Sequence, residues 1–261
     1  MRVSAEATGT VYLVGAGPGA PDLLTLRAAR LLAAADIVFY DALVHPDTVA
    51  LATNAIRIAV GKRCGRHSTA QQFINKRLVD AAHTHRVVVR LKGGDPMLFG
   101  RAQEEIAALE ANDIVCEVVP GITAALAAAA DLKTSLTQRG TARSITFATP
   151  RIGNGQAPGE WARAVAGADA AAIYMGIGEA AAVAAALLAT GKSPTLPVAV
   201  VESASLPHRR ILYTTLGQLP FALDAAMAGP AVILLGPQFG ARATGARNDV
   251  THFAPARRSA A

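Results

Sequence analysis

Three short stretches carry residue types that packing alone does not require: GAGPGAPD (15–22), GGDP (93–96) and PGIT (120–123). Each follows an apolar or β-branched run that reads as a strand. Glycine permits positive φ and lets a ligand approach the main chain closely. In an open α/β sheet, ligands sit at the carboxyl ends of the strands. Turn geometry can account for any one of these corners; three of them at strand ends point to a ligand. The first corner also satisfies G-x-G-x-x-G/A through Gly15, Gly17 and Ala20, and Asp41 ends the next strand, where a ribose-binding acid belongs. Pro18 and Pro21 oppose a dinucleotide. Each removes an N–H from the loop that would cradle a pyrophosphate, and each restricts φ. A nicotinamide cofactor is therefore not expected.

These corners need elements to position them. VYLVG (11–15) is a short buried strand, and residues 22–35 have helical spacing, with Leu24, Ala28, Leu31 and Leu32 on one face and Asp22 as N-cap. Strands follow at 36–40, 86–91 and 114–119, and helices at 71–82, 102–111 and 120–130. Such alternation predicts a mostly parallel α/β sheet. The pattern restarts after TSLTQRGTA (134–142). Strands are expected at 143–149, 170–175, 197–201, 210–216 and 230–236, and helices at 159–166 and 179–190. The organisation read from this is an N-terminal tail (1–10), a first α/β domain (11–137), a second (138–237) and a mobile basic tail (238–261).

The 261 residues are 52 % hydrophobic and 17 % charged, enough apolar material for a core, which excludes wholesale disorder. Aromatics at 5 % argue against a base-stacking nucleic-acid surface. The net charge of +6 suits an acidic partner. Cys64 and Cys116 fit no metal spacing and read as free thiols in a reducing compartment. No signal peptide or membrane span is visible, so a cytoplasmic location is expected. His67, His83 and His85 are assigned no metal.

Taken together, VYLVGAGPGAPDLLTL, YDALV, GKRCGRHS, VVRLKGGDPMLFGR and VVPGITAA, continuing through IYMGI and PVAVVESAS to PAVILLG, resemble the tetrapyrrole methyltransferases, and among them the uroporphyrinogen-III C-methyltransferases. The resemblance covers nearly all of residues 11–237. It implies two α/β domains with S-adenosylmethionine in the cleft between them, and a homodimer. It implies methylation of uroporphyrinogen III at C2 and C7, giving precorrin-2 for sirohaem and cobalamin synthesis. By matching motif, the cofactor contacts fall on Pro18, Gly93, Gly94, Asp95, Leu98, Thr123, Ala124, Met175 and Ala204. Asp41 and Lys62 match positions with acid/base roles. Asp95 would face a polar or positive part of the cofactor, and the N–H groups at Thr123 would suit a carboxylate. The substrate is a polycarboxylate, so Arg63, Arg66, Arg90 and Arg101 are candidate contacts, because Arg holds a carboxylate bidentately. Arg90 and Lys92 share one strand face by the period of two.

Two stretches depart from the family pattern. SLTQRG places Gln138 where the family usually has histidine, and TPR places Pro150 and Arg151 where it usually has Gly-His. Glutamine does not titrate near neutral pH as histidine does. Two other readings compete with the methyltransferase above. One is a sister enzyme acting on a later precorrin. The other is a protein that binds a tetrapyrrole or adenosylmethionine without turnover.

Overall fold

The computed structural model describes residues 8–60, 67–151, 160–223, 227 and 229–240, with side chains from residue 71 onward in the helix that begins at His67. The chain divides into two compact units, Met1–Thr123 and Ala124–Ala261.

The first unit contains β1 (Thr10–Gly15), a 3-10 turn (Pro21–Leu23), α1 (Leu26–Ala34), β2 (Ile37–Tyr40), α2 (Pro46–Ala50), β3 (Ile56–Ala59), α3 (His67–Ala82), β4 (Val87–Lys92), α4 (Ala102–Glu110) and β5 (Cys116–Val119). The strands form one sheet in the order β3-β2-β4-β1-β5, parallel throughout. Both faces are covered, as a parallel sheet requires. Val11, Leu13, Phe39 and Val88 pack with Ile74 and Leu78 of α3 and Leu109 of α4. Val14, Val38, Val89 and Leu91 pack on the other face with Ala28 and Leu32 of α1 and Val49 of α2. Alternate residues of β1, β2 and β4 thus enter opposite cores.

Asp22 lies in the 3-10 turn and does not cap α1. Thr25 does so, its Oγ1 accepting the Ala28 N–H at 3.1 Å. Replacing Thr25 by Ala should cost about 1 kcal/mol of stability, readable by urea titration, without touching the corners.

The second unit contains α5 (Ala124–Asp131), β6 (Ile145–Ala148), α6 (Glu160–Ala166), β7 (Ala170–Tyr174), α7 (Ala180–Ala189), β8 (Pro197–Glu202), β9 (Arg210–Thr215), α8 (Leu219–Ala222) and β10 (Ala231–Leu235). Its sheet runs β6-β7-β10-β8-β9. Only the β6–β7 pair is parallel, and β7–β10, β10–β8 and β8–β9 are antiparallel. A mostly parallel second sheet was the expectation. The connection from β8 to β9 is too short for a helical crossover, which forces the antiparallel return.

α5 joins the second unit through its alanines. Ala125, Ala127 and Ala128 pack with Leu132, Ala172, Ala199, Val201 and Leu234. The division of contacts therefore falls before α5, whereas the sequence placed the boundary after residue 137. Residues 238–240, counted in the expected tail, belong to the second unit. Gln238 and Phe239 are buried, Gln238 Nε2 donates to the Leu136 carbonyl at 2.9 Å, and Phe239 packs in the α5 core. Residues 241–261 lie outside the described residues. Among the described residues no helix is long and apolar enough to cross a membrane.

Candidate active site

The strand order explains why three corners far apart in sequence meet. β4, β1 and β5 are neighbours, so the second, first and third corners emerge side by side at their carboxyl ends. Main-chain bonds then join the first two. The Gly94 N–H donates to the Gly17 carbonyl at 2.7 Å, Gly17 returns the bond to Gly94 at 3.2 Å, and the Ala16 N–H donates to Lys92 at 2.7 Å. Gly17 and Gly94 have φ of 75° and 67°, which glycine adopts without steric penalty. Asp95 adds the third corner. Its Oδ1 accepts the Met97 N–H at 2.8 Å and its Oδ2 accepts the Gly121 N–H at 2.9 Å. The Asp95 carboxylate thus ties its own loop to the strand end beside it.

The junction is tight at its centre and open at one point. A Cβ on Gly15 would lie 2.6 Å from the Gly121 main chain, so these two glycines pack backbone to backbone. A Cβ on Gly94 would meet nothing nearer than Thr123 Cα at 3.8 Å, and one on Gly93 only Leu43 Cβ at 3.2 Å. A Cβ at Gly94 would therefore fit at ordinary van der Waals distance, whereas one at Gly93 would crowd Leu43.

Asp41 ends β2, next to β4, and its N–H donates to the Leu91 carbonyl at 3.2 Å. Its Oδ1 accepts from an Arg90 guanidinium nitrogen at 2.6 Å. Arg90 is buried, at 2 % exposure. Its Nε donates to Glu105 Oε1 at 3.0 Å and its third nitrogen to the Leu91 carbonyl at 3.3 Å. Arg90 is accordingly a buried bridge and not the exposed anion contact expected from sequence. Burial alone would lower its pKa, but Asp41 and Glu105 more than offset this and raise it. Lys92 is buried as well, and its Nζ donates to Glu105 Oε2 at 2.8 Å. Burial first, and the Arg90 cation second, pull its pKa down.

Arg101 is part-exposed and pairs with Glu104 through two nitrogens, at 2.6 and 2.7 Å. Lys62, Arg63 and Arg66 lie outside the described residues, as does Cys64. Pro18 and Leu98 are half-buried in the first and second corners. Thr123 precedes α5, and the Ala125 N–H of that helix donates to the Tyr174 hydroxyl at 3.1 Å, so that donor is already occupied. Met175 follows β7 and Ala204 follows β8.

Backbone conformation marks further residues that the sequence did not. Among the described residues, seven non-glycine residues have positive φ. Asp113 and Lys133 follow the ends of α4 and α5, an ordinary helix-terminating use. Phe99 and Arg101 lie in the loop after β4, Met175 follows β7, and Ser203 and Ser205 flank Ala204. Left-handed backbone at non-glycine residues gathers at functional loops. Residue type gives no hint of it at Phe99, Ser203 or Ser205. Gln138 is exposed and exchanges two 2.8 Å main-chain bonds with Ala142. Pro150 is buried and Arg151 exposed. A concavity of about 520 Å³ in the second unit, lined by Leu126, Lys133, Thr134 and Phe147 among others, contains none of the candidate residues.

Among the described residues no group of three or more His, Cys, Asp or Glu could hold a metal ion. The siroheme synthase of Azotobacter vinelandii is 43 % identical over 233 residues, covering 88 % of this chain and 50 % of that protein. That of Chromobacterium violaceum is 44 % identical over 234 residues, again with 50 % of its length covered. The chain thus spans about half the length of these relatives. A crystal structure of uroporphyrin-III C-methyltransferase from Thermus thermophilus, complexed with S-adenosylhomocysteine, superimposes with a TM-score of 0.76 at 38 % identity, covering 88 % of this chain and 98 % of that one. A cobalt precorrin-4 methyltransferase superimposes with a TM-score of 0.77 at 28 % identity. Residues 10–220 match the family model for tetrapyrrole (corrin/porphyrin) methylases. With the glycine corners on adjacent strands and a family match that spans both units, this chain belongs to the tetrapyrrole methylase family.

Proposed function

We propose that this chain transfers methyl groups from S-adenosylmethionine to C2 and C7 of uroporphyrinogen III, giving precorrin-2. The observation that carries the reading is the junction of three glycine corners beside the Asp41 carboxylate. When bound, the cofactor supplies an electrophilic methyl on sulfur together with a good leaving group. The protein's task is alignment, since a pyrrole carbon is already nucleophilic. Gly93 and Gly94, which carry no side chain, are proposed to let the cofactor approach the main chain, and Asp95 keeps the second corner fixed against the third. Pro18, Leu98, Thr123, Ala124, Met175 and Ala204 complete the proposed contacts. Asp41 is the proposed acceptor of the proton released after carbon methylation. Lys62 is the second acid/base candidate, and Arg63, Arg66 and Arg101 are the cations proposed to receive substrate carboxylates. The active form is a cytoplasmic homodimer in this reading.

Anaerobic incubation with uroporphyrinogen III and methyl-labelled S-adenosylmethionine tests the proposal. The expected product carries two labelled methyl groups, and calorimetry with NAD(H) gives no binding. Methylation of a later precorrin alone would make this a sister enzyme. Cofactor binding without transfer to any tetrapyrrole would leave a binding protein.

A further inference from the structure

We propose that Glu105 is a positioning residue, which orients Arg90 and through it the Asp41 carboxylate. The inference rests on the reading that Asp41 acts on the substrate. Glu105 is 0 % exposed and shares the buried stripe of α4 with Ala102 and Leu109, where an apolar side chain would pack. A carboxylate there is costly unless it is paired and hydrogen-bonded. Glu105 Oε1 accepts from Arg90 Nε at 3.0 Å and from Gln71 Nε2 at 3.2 Å, and Oε2 accepts from Lys92 Nζ at 2.8 Å. The four ionised side chains sum to zero charge. Three have side chains at most 4 % exposed, while that of Asp41 is 30 % exposed. The network therefore reaches solvent at Asp41. Buried ion networks are not on balance more stabilising than apolar packing of the same volume, so stability gives no sufficient reason for this one.

The guanidinium geometry supplies a reason. Its donors form a rigid planar fork. Glu105 at Nε and the Leu91 carbonyl at a terminal nitrogen fix the plane. The remaining terminal nitrogen then points at Asp41 Oδ1 in one direction. Without Glu105 the plane loses one of its two anchors and the Asp41 carboxylate loses its fixed partner.

The test is a double-mutant cycle in the full chain between Glu105→Gln and Asp41→Ala. Glutamine keeps the shape and one acceptor but gives the two cations no charge. Glu105→Gln is expected to lower kcat about tenfold to a hundredfold, the range that misplacement of a reacting group produces. Affinity for S-adenosylhomocysteine should stay within about twofold, and in the Asp41→Ala background the same substitution should change kcat by less than about twofold. A crystal structure of Glu105→Gln should show the Asp41 carboxylate rotated from its present position. If Glu105→Gln lowers kcat equally in both backgrounds, its role is structural and the inference falls. If Asp41→Ala loses turnover but Glu105→Gln does not, the inference falls while the reading of Asp41 stands. If Asp41→Ala retains full turnover, the reading itself falls. Should Glu105→Gln fail to fold, Arg90→Lys replaces it: an ammonium on a flexible stem lacks the rigid planar fork that fixes the two carboxylates in direction, so the same kcat loss and non-additivity are expected, and wild-type turnover would overturn the proposal.

Discussion

Gly94→Val should weaken S-adenosylhomocysteine binding by at least about a hundredfold, equivalent to about 2.7 kcal/mol, while the chain still folds. The main chain at Gly94 has φ of 67°, and a Cβ there meets no protein atom closer than 3.8 Å. In the proposed site, valine would put two methyl groups where the cofactor approaches the main chain. The left-handed conformation would cost on the order of 1–2 kcal/mol, which a domain of ordinary stability survives. Gly15→Ala provides the contrast. Its φ is not left-handed, but its Cβ would lie 2.6 Å from the Gly121 main chain and 2.8 Å from the Gly94 carbonyl oxygen. Prising two backbones apart should cost about 3 kcal/mol or more. The smaller substitution should therefore do more damage to folding, and the larger one more damage to binding. Calorimetric titration and thermal melting of the two variants check this. Undiminished affinity in Gly94→Val would place the cofactor elsewhere.

Arg90→Ala should destabilise the first unit by about 3–5 kcal/mol, the cost of removing one partner from a buried ionic network. Glu105, Asp41 and Lys92 would remain, with one carboxylate uncompensated. Denaturant titration reads the loss. An Arg90 that served only the substrate would leave stability within about 0.5 kcal/mol of the wild type, and its loss would appear in affinity for the polyanion and in the salt dependence of binding. The two outcomes differ in kind, so one pair of measurements decides between a buried bridge and a substrate contact.

The sequence exposed strongly apolar elements most clearly. β1, β2, β4, β5, β8 and β10 are β-branched runs bounded by polar or glycine residues, and all were expected. β3 was missed because it is an edge strand whose residues are mostly exposed, with Arg57 in its middle. A period-two pattern has no core to report there. α2 is five residues long, too short for helical periodicity to register. The alanines of α5 carry no sign in the sequence of which sheet they pack on, which moved the domain boundary. In the site, the corners were legible because glycine types mark positions where main chain must be bare. The period of two placed Arg90 and Lys92 on one face but could not say that this face carries α3 and α4. Two cations on a strand central to its sheet were themselves a signal that a buried carboxylate must lie within reach, and Glu105 is that carboxylate.

The strand order of the second unit has a consequence for synthesis. β10 is the last strand of that sheet in sequence and lies between β7 and β8. A nascent chain that has not yet released residues 231–235 carries β7 and β8 with no strand between them, and each presents an open row of main-chain donors and acceptors. Such edges invite pairing with other chains. Ribosome stalling before β10 should therefore give a product that aggregates or is degraded, although every α/β element before it has been made. The first unit is different: β5, its last strand, only adds an outer edge, so it can close its sheet while the second is still being translated.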